Sequence, residues 1–164
     1  MRRLFSFPNP VNEVAARTVA AGVLMLSVVE LTTHQRWLLI PLAYGFLARV
    51  LTGPKLSPWA FAATRVIVPR LPFAARLTPG PPKRFAQGIG AVLSTAALAV
   101  WALAGWNLAA DVLVGLIVVA ATLESAFGLC VGCLLFGRLM RAGVIPESVC
   151  EECADISRRL GRAA

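Results

Sequence analysis

Charge is scarce in this chain, and acidic charge is scarcest. Of its 164 residues, 15% are charged, with 8 Asp+Glu against 16 Lys+Arg. A soluble domain of this length needs more charge than that to cover its surface, so the freely soluble classes are set aside. There is a single histidine; His34 falls in a turn where water reaches it, and one histidine builds no site. The chain has no glycine-rich phosphate loop, no nucleophile elbow and no His-Glu-x-x-His. The hydrolase and nucleotide-binding classes that depend on those motifs therefore lack support. The formal charge of +8 comes without an aromatic–basic patch, which argues against nucleic acid as a partner. Basic residues that flank apolar spans on the cytoplasmic side and touch anionic lipid account for it instead.

What the chain has in abundance is apolar sequence, 58% by residue with a mean hydropathy of +0.74, gathered into long blocks. The expectation is an all-α membrane protein embedded in the lipid bilayer, with four transmembrane helices arranged as two hairpins. The spans fall at about 14–33, 37–52, 85–106 and 109–137. The start Met1-Arg2-Arg3 resembles a twin-arginine signal only faintly, because Pro8 and Pro10 interrupt it and no small-x-small site follows; the first apolar run is read as a retained helix. Asn9 or Asn12 caps that helix, and Gly53-Pro54 ends the second. Segment 55–83 is rich in proline and arginine; within it Trp59 to Val68 reads as a short amphipathic helix lying in the interface plane. The membrane domain thus covers about 1–142, and a cysteine-containing tail, 143–164, carries a short cytoplasmic C-terminal helix. Basic residues concentrate at the N-terminus, the central loop and the C-terminal region, which places both termini on the cytoplasmic side.

The four cysteines form two Cys-x-x-Cys pairs, Cys130/Cys133 and Cys150/Cys153, in the pattern C-x2-C-x16-C-x2-C. A cytoplasmic setting disfavours permanent structural disulfides. Three chemistries remain. As a redox or sulfur relay, one pair exchanges electrons or sulfane sulfur with the other, with Cys150 or Cys153 as the accessible thiol and Cys130 with Cys133 on the membrane side. Against this, Cys130 and Cys133 lie late in the expected fourth helix, where a thiolate gains nothing from the helix dipole. As a tetrathiolate site, all four hold zinc or an iron–sulfur cluster. As packing residues, Cys130 and Cys133 join Gly128-x-x-x-Gly132 in a helix contact. The second pair, in a charged tail, has no core to fill.

Several motifs together, Phe7-Pro8-Asn9-Pro10-Val11-Asn12-Glu13, Gly53-Pro54-x-x-Ser57-Pro58, Pro82-Lys83-Arg84-Phe85-Ala86-Gln87 and Cys130-x-x-Cys133, resemble a family of small bacterial membrane proteins catalogued as domain of unknown function 4395. The resemblance covers roughly 5–140. It implies a helical protein of the bacterial cytoplasmic (inner) membrane, with a thioredoxin-like or sulfurtransferase protein as neighbour and partner. It implies no reaction.

Glu124 stands roughly half-way down the fourth span, where an ionised carboxylate is costly. Its expected partners are Arg17 and Arg49, in a structural ion pair or in a proton or substrate site. On a continuous helix Cys133 lies about half a turn from Glu124 in azimuth, so the carboxylate and the sulfurs are expected to be apart. Glu30, near the outer end of the first span, is expected to be wetted. A last reading is a transporter subunit that uses Glu124 and works as a homo-oligomer.

Overall fold

The computed structural model describes residues 7–72, 76–150 and 153. They fold as a helical bundle with one small strand pair. β1 (Val11–Asn12) leads into α1 (Glu13–Thr33), a turn of 3₁₀ helix (Arg36–Leu38) into α2 (Leu39–Thr52), and α3 (Pro58–Ala62) runs on through a π turn (Ala63–Ile67) and a 3₁₀ turn (Val68–Arg70). Then come β2 (Leu77–Thr78), α4 (Gly80–Ala104), α5 (Asn107–Phe127) and α6 (Val131–Arg141). β1 and β2 pair antiparallel, Val11 opposite Thr78, so α1 and α4 start side by side.

Among the described residues three helices, α1, α4 and α5, are long and apolar enough to cross a membrane, rather than the four expected. α2 has 14 residues, roughly 21 Å of helix, short of the roughly 30 Å of a hydrocarbon core. It nonetheless packs inside the bundle. Leu39 at its start packs with Ala97 of α4 and Val114 of α5, while Arg49 near its end bonds Gln87 at the start of α4. The fourth expected span is divided: α5 stops at Phe127, and α6 is a separate helix.

The caps are local chemistry. The Asn12 side chain accepts the Val14 amide at 3.0 Å and caps α1 as expected, whereas Asn9 accepts the amide of Gly80 and ties the chain before β1 to the start of α4. Gly53, at φ 66°, ends α2. Small residues then set how closely the helices approach. A methyl on Gly90 would lie 2.1 Å from the Phe46 ring, so the glycine makes the room in which α2 packs on α4. Val23, Leu42, Phe46, Ala91, Ile117 and Ala121 form the centre of the core. Outward-facing side chains are apolar as well, among them Met25, Val92, Leu103, Leu116 and Val119. An apolar exterior over an apolar core is the surface a bilayer solvates.

The segment expected to lie in the interface plane is helical over 58–70 but is held to α1. The Trp59 indole fills the space that a side chain at Gly22 would need, and Ala60 and Ala63 bury against Val19. Beyond the 3₁₀ turn Glu147–Val149, the expected C-terminal helix lies outside the described residues except at Cys153.

The end of the bundle opposite the cysteines carries a charge cluster built on a buried Glu30 and the partly exposed Arg36 and Asp111. Arg36 Nη1 donates to Glu30 Oε1 at 2.7 Å and to Asp111 Oδ1, and Nη2 donates to Asp111 Oδ2 at 3.2 Å. Glu30 is fully buried, not wetted as its place near the helix end suggests, because Arg36 turns back over it from the following turn. The hydrogen bond from Arg36 to Asp111 raises the guanidinium pKa above its ordinary value.

Candidate functional site

The cysteine end of the bundle is built by a break in the helical path. Gly128 takes the left-handed conformation at φ 69°, donates its amide to the Glu124 carbonyl at 3.2 Å, and Leu129 donates to Leu123 at 2.9 Å. This is a Schellman-type stop that glycine adopts without steric cost. Arg17 of α1 completes it, reaching the last carbonyls of α5 at Ser125 (3.1 and 3.2 Å) and Ala126 (2.9 Å). The chain then extends through Cys130 and starts again as α6.

Cys130 is therefore the N-cap of α6, and its sulfur accepts the amide of Cys133 at 3.2 Å. This corrects the expectation that the pair lies late in a helix: both cysteines sit where the unpaired first-turn amides and the positive end of the helix dipole point. Gly132, inside the motif, is a contact residue of another kind than a Gly128-x-x-x-Gly132 stripe. A methyl there would lie 2.5 Å from the Ala86 methyl and 2.6 Å from its Cα, so glycine lets the start of α6 abut α4. Farther along, the Phe136 and Phe85 rings pack edge to face at 5.6 Å and hold the two helices together.

Each pair stands as a disulfide, with Cα atoms 5.1 Å apart for Cys130–Cys133 and 5.3 Å for Cys150–Cys153. Cys130, Cys133 and Cys153 line one cleft of about 400 Å³, with Glu13 and Lys83 in its wall. The two motifs thus share a cleft at the bundle end. Cys153 is exposed, whereas Cys150 and Cys130 are buried. Among the described residues no group of three or more His, Cys, Asp or Glu side chains is arranged to hold a metal ion. A tetrathiolate site would need both disulfides reduced before the sulfurs gained ligand character.

On its inner side Cys130 lines a second, smaller cavity of about 100 Å³ between the helices, and Arg49, Gln87 and Glu124 line it too. Glu124 and Cys130 therefore line one cavity, whereas Cys133, whose azimuth on a continuous helix lies about half a turn from Glu124, lines only the cleft. The partner of Glu124 is Lys83, Nζ to Oε1 at 2.7 Å, and neither Arg17 nor Arg49. Arg17 is occupied by the α5 carbonyls, and Arg49 donates Nε to Gln87 Oε1 at 2.8 Å and Nη1 to Ser57 Oγ at 3.5 Å. Sequence reasoning passed over Lys83, Gln87 and Ser57 as site residues. The signal was in the motifs Pro82–Gln87 and Ser57-Pro58: a lysine and a glutamine spaced four apart at a helix start share one face.

No curated protein and no solved structure matches the chain. A family model matches residues 11–141, from β1 to the last residue of α6, which takes in Cys130 and Cys133 and stops short of Cys150. The chain belongs to the family described as domain of unknown function (DUF4395).

Proposed function

We propose that the chain is a membrane-bound thiol–disulfide protein whose working pair is Cys130 and Cys133. The observation that carries this reading is the position of Cys130 as N-cap of α6, with the Cys133 amide directed at its sulfur. When the pair is reduced, the amide and the helix dipole favour a thiolate at Cys130, which is the nucleophile of disulfide exchange. The shared cleft supplies the second half of a relay. The Cys130 thiolate attacks the Cys150–Cys153 disulfide at the exposed Cys153 sulfur and expels the Cys150 thiolate. Cys133 then displaces Cys153, leaving Cys130–Cys133 oxidised and the tail pair reduced, two electrons transferred in all. The tail dithiol passes the electrons to a disulfide of a soluble thioredoxin-like partner, which leaves with its two cysteines reduced while Cys150–Cys153 closes again. In this reading α1, α4 and α5 cross the inner membrane with α2 alongside, the 58–70 segment packs against the cytoplasmic half of α1, and the cysteine end with its basic residues is cytoplasmic. A membrane-impermeant maleimide that labels the reduced protein in inverted vesicles and leaves it unlabelled in intact cells checks that orientation.

The test is a redox titration of the purified chain in detergent, counting alkylated thiols by mass after equilibration in glutathione buffers, with metal content measured on the same samples. The expected result is stepwise conversion between none, two and four thiols. With Cys150→Ser and Cys153→Ser combined, the Cys130–Cys133 couple remains and reduction of an oxidised thioredoxin-like protein slows. Thiols that react only after chelation, with about one zinc per chain, would replace this reading by the structural tetrathiolate one.

A further inference from the structure

One positive charge inside the bundle lacks an anion. Arg49 is 6% exposed; its Nε and Nη1 meet only the neutral Gln87 and Ser57, and Nη2 has no partner among the described residues. The guanidinium lies over the Phe46 ring, 4.5 Å from its centroid, a contact that lessens the burden of desolvation without neutralising the charge. The other buried cation at this end, Lys83, takes Glu124 one to one. Glu124 also acts on Arg49 through space, yet makes no direct ion pair with it. Buried charges are ordinarily paired, because the interior does not replace the hydration they lose.

The cavity beside Arg49 supplies more donors. Cys130, Val131 and Gly132 line it, the N-cap and first residues of an 11-residue helix. First-turn amides have no acceptor within their own helix, and the dipole makes that end positive. The Gln87 side chain is in the same wall. Guanidinium, amide and helix N-terminus are all suited to an anion. Two features bound its nature. A volume of about 100 Å³ holds a few water-sized groups and excludes lipids, nucleotides and sugar acids. The Glu124 carboxylate in the wall opposes multiple negative charge.

We infer that this cavity is a binding site for a small monovalent inorganic anion, held between the Arg49 guanidinium and the N-terminus of α6, against the inner side of Cys130. The site goes beyond the dithiol reading and stands without it, since none of its donors is a sulfur. The cavity and the cleft that the tail pair shares both border Cys130.

The experiment is thermal unfolding of the full chain in detergent at constant ionic strength, with chloride, bromide or nitrate replacing gluconate, which is too large for the cavity. A ligand that binds only the folded state raises the midpoint in a saturable way. The expected result is such a rise for at least one small anion, retained in the Cys150→Ser/Cys153→Ser variant, whose residues do not line the cavity, and lost in Arg49→Gln. Gln87→Met keeps the volume and removes a polar group, and should weaken the apparent affinity at least about tenfold; it carries the test should Arg49→Gln not fold. Equal midpoints in every small anion and in gluconate would overturn the inference. So would a saturable rise that Gln87→Met or Arg49→Gln leaves unchanged.

Discussion

Gly132 and Gly137 lie in the same helix and make opposite demands on it. A methyl at Gly132 collides with the backbone and side chain of Ala86, whereas at Gly137 it meets nothing within 4 Å. Gly132→Ala is expected to push α6 off α4 and cost about 1–3 kcal/mol, the usual penalty for overpacking. Gly137→Ala should be neutral or stabilise by about 0.5–1 kcal/mol, because it only removes helix-interior glycine. Unfolding midpoints of the two variants, measured side by side, check the contrast; equal effects would mean that α6 does not seat on Ala86. At this scale the sequence was partly legible. Asn12 as a cap and Gly53 as a stop follow from local chemistry. The partner of Glu124 does not. Arg17, Arg49 and Lys83 are all at the same end of the bundle, and the rotational setting of α4 against α5 decides which cation meets the carboxylate.

The break between α5 and α6 is the element that turns a cysteine motif into a site. The helical apolar pattern runs from about Ala109 to about Arg141, broken only by Asp111, Glu124 and Arg138, so hydropathy reads one long helix. The break depends on Gly128 in a left-handed conformation and on Arg17, which comes from α1 and is far away in sequence. Gly128→Ala is expected to cost about 1–2 kcal/mol, the penalty of that conformation for a residue with Cβ, and to disturb the α6 start. Denaturant unfolding gives the first, and the redox midpoint of Cys130–Cys133 gives the second. A variant of full stability and unchanged midpoint would show that the break is not needed. A glycine two residues before a cysteine that can cap a helix was the available clue; it carries weight only once Arg17 is seen to satisfy the carbonyls that α5 leaves behind.

At the scale of the whole molecule the two ends of the bundle are pinned by different charge sets. At the far end, Glu30 of α1 and Asp111 of α5 share Arg36 from the intervening turn. Arg36→Ala leaves Glu30 buried with no cation and is expected to destabilise the bundle by about 3–5 kcal/mol. Glu30→Gln combined with Arg36→Met should recover part of the loss, which thermal unfolding of the three variants checks. A harmless Arg36→Ala would place Glu30 in water after all. At the cysteine end the pairing of Lys83 with Glu124 leaves Arg49 facing the cavity, and that asymmetry is the basis of the anion site.

The sequence by itself determined the helical class, the apolar faces, the Cys-x-x-Cys motifs and the family, because each is written in composition, short spacing or local caps. Only the tertiary structure decided that Cys130 begins a helix, that Glu30 is buried and that Lys83 meets Glu124. Those outcomes depend on how helices distant in sequence rotate and approach one another. Close contacts at Gly22, Gly90 and Gly132 set that approach, and their partners, Trp59, Phe46 and Ala86, belong to other elements of the chain.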